Sequence, residues 1–432
     1  MADGKRQKFQ ALRGMRDVLA PESARRRLLV DRFAQVASLA GYDEMTPPLV
    51  EDLDVFRRVG DATDVVTKEM YDFVDRDGSR IALRPEMTAG VVRAFVQHNP
   101  LVPWKVWYSG TNFRHERPQK GRYRMFDQLG VEVLGVDDPD LDVEVIALAA
   151  DFFGNVGLND VTLLVNSLGE QGDRQAYTEA LRAYFESNID GLSEASRETL
   201  KRNPLRVLDS KRGEDRALVA AAPNIDEFLS DAARGHFDRV LAGLDSLDIA
   251  YERTPRLVRG LDYYRRTTFE FTSGALDSAQ NAVGGGGRYD GLSEAMGGSP
   301  TDGIGFALGV DRILLAADAE GAFPAPESSV DTFVVDMVDG THALAITHEL
   351  RRAGISSERR FGGGSVKAQM RSADRSGARF ALIVGEDEVA EGTVTLRPMR
   401  GIASDGEQRR IPRHSIAGEI RGLMDSEHRG DQ

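Results

Sequence analysis

The chain has 432 residues, 41% hydrophobic and 29% charged, with a net charge of −14 and no cysteine. That length exceeds one hydrophobic core, so two or three domains are expected, and the missing thiols exclude disulfides, thiolate catalysis and cysteine-ligated zinc. The seven histidines lack metal-ligand spacing, no apolar run nears the roughly 18 residues that span a bilayer, and the polar N-terminus lacks a secretory signal, so a cytoplasmic protein without a structural metal is expected.

Residues 21–40 carry Leu29, Phe33, Val36 and Ala40 at helical spacing, with Pro21 in the first turn and Gly41 for the C-terminal cap. The Pro47-Pro48 pair then predicts an extended segment, since proline cannot sit in a paired central strand. Strands are expected at 80–83, 104–109, 125–133 and 161–165, and helices at 89–97 and 142–153, a mixture that suggests an α+β sheet. From about 170 to 251 the pattern is helical, with helices at 176–186, 194–201 and 226–244, and reads as an insertion. A strand returns at 267–272, then a glycine run and a helix at 309–318. Residues 323–329, rich in proline and serine, read as a linker. Beyond it, strands at 333–338, 355–359 and 379–384 alternate with helices at 341–353 and 365–376. This is a βαβαβ unit with a parallel sheet, a domain of roughly one hundred residues.

Four segments carry candidate chemistry. In Leu83-Arg84-Pro85-Glu86-Met87-Thr88-Ala89-Gly90, Glu86 and Thr88 are candidates for holding an ammonium group. Taken alone, the segment is better explained as a helix start, with Thr88 capping it and Glu86 complementing its dipole. Phe113-Arg114-His115-Glu116 and Arg124 to Glu132 read as an antiparallel hairpin whose alternation puts Phe126, Gln128, Gly130 and Glu132 on one face. A polar ligand or a half-solvated sheet explains that alternation equally well. In Leu257 to Tyr264, Arg259 beside Gly260 is either a guanidinium held at a tight backbone site or a structural partner of Asp262. Gly284 to Gly291 and Gly303 to Arg312 let backbone approach a planar or phosphate ligand, but they lack the ending of a P-loop and the spacing of a dinucleotide fingerprint.

Taken together and in this order, the segments resemble class II histidyl-tRNA synthetases, over about residues 9–423. Residues 41–48 resemble motif 1, Phe113-Arg114-His115-Glu116 with its hairpin motif 2, and Gly303 to Arg312 motif 3. Leu257 to Tyr264 and Gly285 to Asp290 resemble the two segments peculiar to the histidine enzymes. Met87 departs from a common glycine and Asp127 from a frequent histidine; Met87 is expected to crowd the amino-acid pocket.

The resemblance implies an α+β catalytic core with an antiparallel class II sheet (1–169 and 252–325), a helical insertion (170–251) and a C-terminal α/β anticodon-binding domain (329–425). It assigns Glu132 and Tyr264 to the imidazole of histidine, with Tyr263 beside them, and Glu86, Thr88 and Gln128 to the amino-group side. Arg114, Glu116 and Arg312 fall to ATP, and Arg259 with Arg114 to the reacting carboxylate and α-phosphate. Magnesium is expected with the triphosphate, and no metal-ligating residue is assigned. Arg117, Gln119, Lys120, Arg122 and Arg124 would approach the acceptor end of tRNA, since RNA contact needs a local basic surface and not a basic total. Motif 1 implies a homodimer, and no membrane contact is expected. The runner-up is a regulatory relative that senses histidine for ATP phosphoribosyltransferase.

Overall fold

The computed structural model describes residues 8–60, 65–208, 210, 212–257, 263–277, 280–326, 330–400 and 407–430, in two compact units, Met1–Ala325 and Pro326–Gln432. The first unit opens with helix α1 (Glu22–Leu39), which ends before Gly41 at φ +77°. Its buried stripe is Arg26, Leu29, Phe33 and Ala37. The expected positions Val36 and Ala40 are only partly buried, so the stripe turns slightly and brings an arginine inside.

The chain continues through β1 (Asp43–Glu44), β2 (Val50–Asp52), α2 (Leu53–Gly60), β3 (Tyr71–Val74), β4 (Arg80–Leu83) and α3 (Thr88–His98). Strands β5 (Trp104–Phe113) and β6 (Met125–Leu134) form the expected hairpin, paired from Trp104↔Leu134 to Phe113↔Met125. Helix α4 (Pro139–Val156) follows, with Asp138 capping it through Asp140 N and Pro139 in its first turn. Strand β7 (Val161–Ser167) leads into helices α5 (Gln171–Ser187), α6 (Glu194–Arg202), α7 (Arg216–Ala221) and α8 (Asp231–Ser246). Helix α8 starts later than expected because Ser230 accepts from Ala233 N and caps it there.

The unit closes with β8 (Tyr251–Arg253), β9 (Arg265–Ser273), β10 (Ala282–Arg288), α9 (Leu292–Ala295), β11 (Gly303–Gly309) and α10 (Val310–Glu320). Eight strands form one sheet in the order β1-β5-β6-β11-β10-β9-β7-β8, antiparallel except for its two edge pairs. Strands β10 and β11 are the glycine runs, where residue pattern alone gives no strand signal.

One face of this sheet packs on α1, α4, α8 and α10 through Phe33, Leu129, Val131, Phe152, Phe237, Phe269 and Ile313. On the other face Val106, Tyr108 and Tyr289 join α2, α3 and α9 in a second cluster. Helices α5 and α6 and the turns after them hold a cluster of their own around Tyr177, Leu181, Phe185, Leu200 and Val207.

In the second unit, β12 (Thr332–Asp336), α11 (Thr341–Arg352), β13 (Ser357–Arg359), α12 (Val366–Arg375) and β14 (Phe380–Val384) form the expected parallel βαβαβ unit. Helix α13 (Glu386–Glu391) leads to two further strands beyond those expected, the antiparallel β15 (Thr393–Pro398) and β16 (Arg409–Pro412), before α14 (Ile416–Gly430). No helix among the described residues is long and apolar enough to cross a membrane.

Candidate active site

The alternation expected along β6 sets the geometry. Leu129, Val131 and Val133 enter the core under the helices, so Gln128, Gly130 and Glu132 face the other way. Glu132 is fully buried. Its carboxyl group accepts from Thr88 Oγ1 (2.7 Å), the Tyr108 hydroxyl (3.1 Å) and the Tyr289 hydroxyl (2.6 Å). Burial pushes its pKa up to about 8, the hydroxyl donors pull it down, and the nearby Glu86 raises it.

Tyr108 and Tyr289 are site residues that sequence pattern does not single out. Strand pairing finds Tyr108, which lies opposite Gly130 in the hairpin register. Tyr289 closes the glycine run and carries no separate signal.

Glu86 and Thr88 exchange the roles that the isolated segment suggests. Glu86 caps α3, accepting from Thr88 N at 2.7 Å and Ala89 N at 3.0 Å. The Thr88 side chain caps nothing; it reaches across to Glu132. Burial raises the Glu86 pKa, against those two amides and Arg114. Met87 is buried in the cluster with Leu53, Phe56 and Ala82, and it does not line the cleft described next. The Tyr263 ring lies 4.7 Å from Tyr264 and 5.9 Å from Tyr289, centroid to centroid. Arg259 lies outside the described residues.

Toward the start of β6 the surroundings become cationic. A cleft of about 220 Å³ is walled by Arg114, Arg122 and Arg312, with Gln128 and Glu270 on its sheet face. Arg114 donates Nε to the Pro85 carbonyl at 2.9 Å and stacks its guanidinium 5.2 Å from the Phe126 ring. Arg312 opens α10 and donates to the Ala282 carbonyl at 2.8 Å. The pKa values of Arg122 and Arg312 are lowered by burial first, and both also by the charge of Arg114. Three like charges held together in this way favour an anion. Gln128 accepts from Asn112 Nδ2 at 2.9 Å.

The predicted basic loop divides. Arg117, Gln119 and Lys120 are exposed. Arg122 turns inward to pair with Glu116, and Arg124 donates to the Glu116 carbonyl at 3.0 Å. The turn between them closes through Gly121 at φ +73°, a conformation that favours glycine.

A family model described as histidyl-tRNA synthetase matches residues 14–313, and one described as an anticodon binding domain matches 332–423. A histidine–tRNA ligase of Rhodococcus erythropolis is 46% identical over 96% of this chain and 98% of its own length. The chain belongs to the histidyl-tRNA synthetase family. Among solved members of that family, the apo histidyl-tRNA synthetase of Staphylococcus aureus superposes with a TM-score of 0.81 at 33% identity, over 96% of this chain and all of that one. A Bacillus halodurans structure titled as an ATP phosphoribosyltransferase regulatory subunit/histidyl-tRNA synthetase shares the fold, with a TM-score of 0.63 at 22% identity over 85% of this chain and 97% of that one. Within the family frame, the buried carboxyl at Glu132 and the arginine cleft stand at two ends of the same strand.

Proposed function

We infer that the chain is a histidine–tRNA ligase: it activates L-histidine with ATP to histidyl-adenylate and pyrophosphate, then transfers histidine to the 3′ end of tRNA(His). The observation that carries this reading is the fully buried Glu132, ringed by three hydroxyls, on the strand that also lines the arginine cleft. A carboxyl that titrates near pH 8 can share one proton with an imidazole of pKa about 6.5, so ring and carboxyl bind as a hydrogen-bonded pair. Such a site rejects apolar amino acids, which leave its buried groups unpaired.

The carboxylate of histidine, with a pKa of about 3.5, is already ionised and needs no general base. What the reaction needs is two anions held together and charge stabilised on the α-phosphate. Arg114 and Arg259 take that role in this proposal, with Arg312 at the far end of the triphosphate and Glu116 orienting Arg122. Glu86, Thr88 and Gln128 serve the amino-group side, Thr88 through the network that also holds Glu132. Tyr263 and Tyr264 border the ring. Magnesium enters with the triphosphate, and Glu270 on the cleft wall offers the hard oxygen it takes beside phosphates.

Arg117, Gln119 and Lys120 are proposed to meet the acceptor end of tRNA from their exposed turn, with Arg122 and Arg124 beneath them. The C-terminal unit would read the anticodon. We propose a homodimer built around residues 41–48, a reading supported by the exposed Leu39, Leu49 and Val50 that flank them. The use of tRNA as substrate supports a cytoplasmic location. A regulatory, histidine-sensing role is less supported, because the chain carries the anticodon binding domain match at 332–423.

The deciding experiment is histidine-dependent exchange of pyrophosphate into ATP. Exchange with histidine and none with other amino acids supports the ligase reading. A chain that binds histidine without exchange is a sensor, and that result overturns it.

A further inference from the structure

Five charged side chains meet behind one wall of the cleft. Arg26 of α1 donates Nη1 to Asp127 at 2.9 Å, Nε to Glu22 at 3.1 Å, and Nη2 to Asp311. Arg16 donates to Glu22 and to Asp311, each at 2.8 Å, and its guanidinium lies 4.4 Å from the Tyr123 ring. Thr111 Oγ1 donates to Asp127 at 2.7 Å. The Arg26 side chain is 11% exposed and that of Asp311 7%, so these charges are poorly screened by solvent.

Two of the five line the cleft itself. Asp127 and Asp311 share its wall with Arg114, Arg122 and Arg312. Glu116, which pairs with Arg122, and Glu270 line it too, so a triphosphate entering there meets Asp127 and Asp311 as further carboxylates unless something cancels them. The two also precede site residues directly, Asp127 before Gln128 on β6 and Asp311 before Arg312 on α10. A cation bound to both therefore fixes how the strand and the helix stand to each other at the mouth of the cleft.

We propose that Arg26 is a positioning residue for the nucleotide, clamping Asp127 to Asp311 and neutralising Asp127, and Asp311 together with Arg16, so that the cleft accepts a triphosphate. The inference rests on the synthetase reading above. It predicts a loss that falls chiefly on ATP, because Glu132 and its hydroxyls, which hold the ring, belong to a separate network.

The test is steady-state pyrophosphate exchange with the full chain. Arg26→Met raises KM for ATP about tenfold, on the scale of one uncompensated charge beside the ligand. KM for histidine stays within about twofold in the same variant, since no contact of Glu132 changes. Adding Asp127→Asn to Arg26→Met removes one exposed anion and recovers part of the ATP affinity. Arg26→Lys, which keeps the charge but reaches fewer partners, gives a smaller, still ATP-specific rise; it carries the test alone if the methionine variant does not fold. Equal rises in both KM values, a fall in kcat with both KM values unchanged, or no recovery in the double variant overturns the proposal. Absence of histidine-dependent exchange in the parent chain sinks the synthetase reading itself, a different result.

Discussion

Gly305→Ala tests where the Glu132 carboxyl sits. Gly305 lies opposite Glu132 in the β11–β6 register. A Cβ there would stand 1.9 Å from Glu132 Oε2 and 2.3 Å from the Val131 carbonyl oxygen. An ordinary C···O contact begins near ~3.3 Å, so both overlaps exceed an ångström or come close to it. The carboxyl oxygen can swing aside only by leaving the Tyr289 hydroxyl at 2.6 Å, and the carbonyl belongs to the strand ladder, so the strands must part. Overpacking costs about 1–3 kcal/mol. A buried hydrogen bond lost from a carboxyl group costs roughly 1.5–3 kcal/mol more. Together the variant should lose about 2.5–6 kcal/mol, a large share of a typical folding free energy. Gly154→Ala is the matched control. Gly154 stands in α4 with nothing within 4 Å of the place its Cβ would take, and alanine there should gain about 0.5–1 kcal/mol. Urea unfolding reads both stabilities, and exchange kinetics should show a raised KM for histidine in Gly305→Ala only. A Gly305→Ala chain as stable as the parent with the same histidine KM refutes the geometry.

Glu132 also sets a pH dependence. Its folded pKa, near 8, stands above the ordinary 4.5, so between those values the native state holds more protons than the unfolded one and stability falls as pH rises. Glu132→Gln should flatten that slope in unfolding measured from pH 4.5 to 9; an unchanged slope would mean that the group does not titrate there. Asp142→Asn leaves Arg288, which donates to Asp142 at 2.7 Å with both side chains fully buried, with only the more distant Asp290 at 3.8 Å, and should cost about 3–5 kcal/mol by denaturant titration. A loss below about 1 kcal/mol, the scale of a solvent-exposed pair, would show that the pair is not isolated from water. Replacing the exposed Arg117 and Lys120 by alanine should weaken tRNA charging most at low salt and give it a shallower salt dependence than the parent, while pyrophosphate exchange is kept. Arg122→Ala should damage exchange as well, because Arg122 walls the cleft; equal behaviour of the two variants would contradict the division of the loop.

The layout of the fold is legible wherever periodicity carries it. Leu29 and Phe33 of the α1 stripe, the β5–β6 hairpin and the C-terminal βαβαβ unit follow from spacing in the sequence. Strands β10 and β11 are not legible, because glycine is depleted in strands and has no side chain to alternate. They are strands through pairing with β9 and β6, which only the tertiary structure supplies. At the site, Gln128 and Glu132 come from the alternation of one strand. Tyr108 needs the register of its neighbour. The direction of the Thr88 hydroxyl and the Arg26–Asp127 contact, 101 residues apart, leave no local trace. Asp127 is a mere departure from the family pattern until its partners are visible.

In the proposed reaction, the spacing along β6 links the two halves. Gln128 borders the arginine cleft and Glu132 lies four residues on, about 13 Å at ~3.3 Å per residue. A ligand that pairs with a buried carboxyl at one end and with arginines at the other must itself carry a polar ring and an anion joined across that span. Free histidine satisfies the first end, and ATP the second. Only the joined histidyl-adenylate satisfies both as one molecule, and the charge on the α-phosphate is most spread out in the transition state that forms it. A rigid strand holds both ends at fixed separation without reorganising during the step. The binding energy of ring and phosphates can then act on the transition state, where it raises kcat, and not merely on either substrate alone.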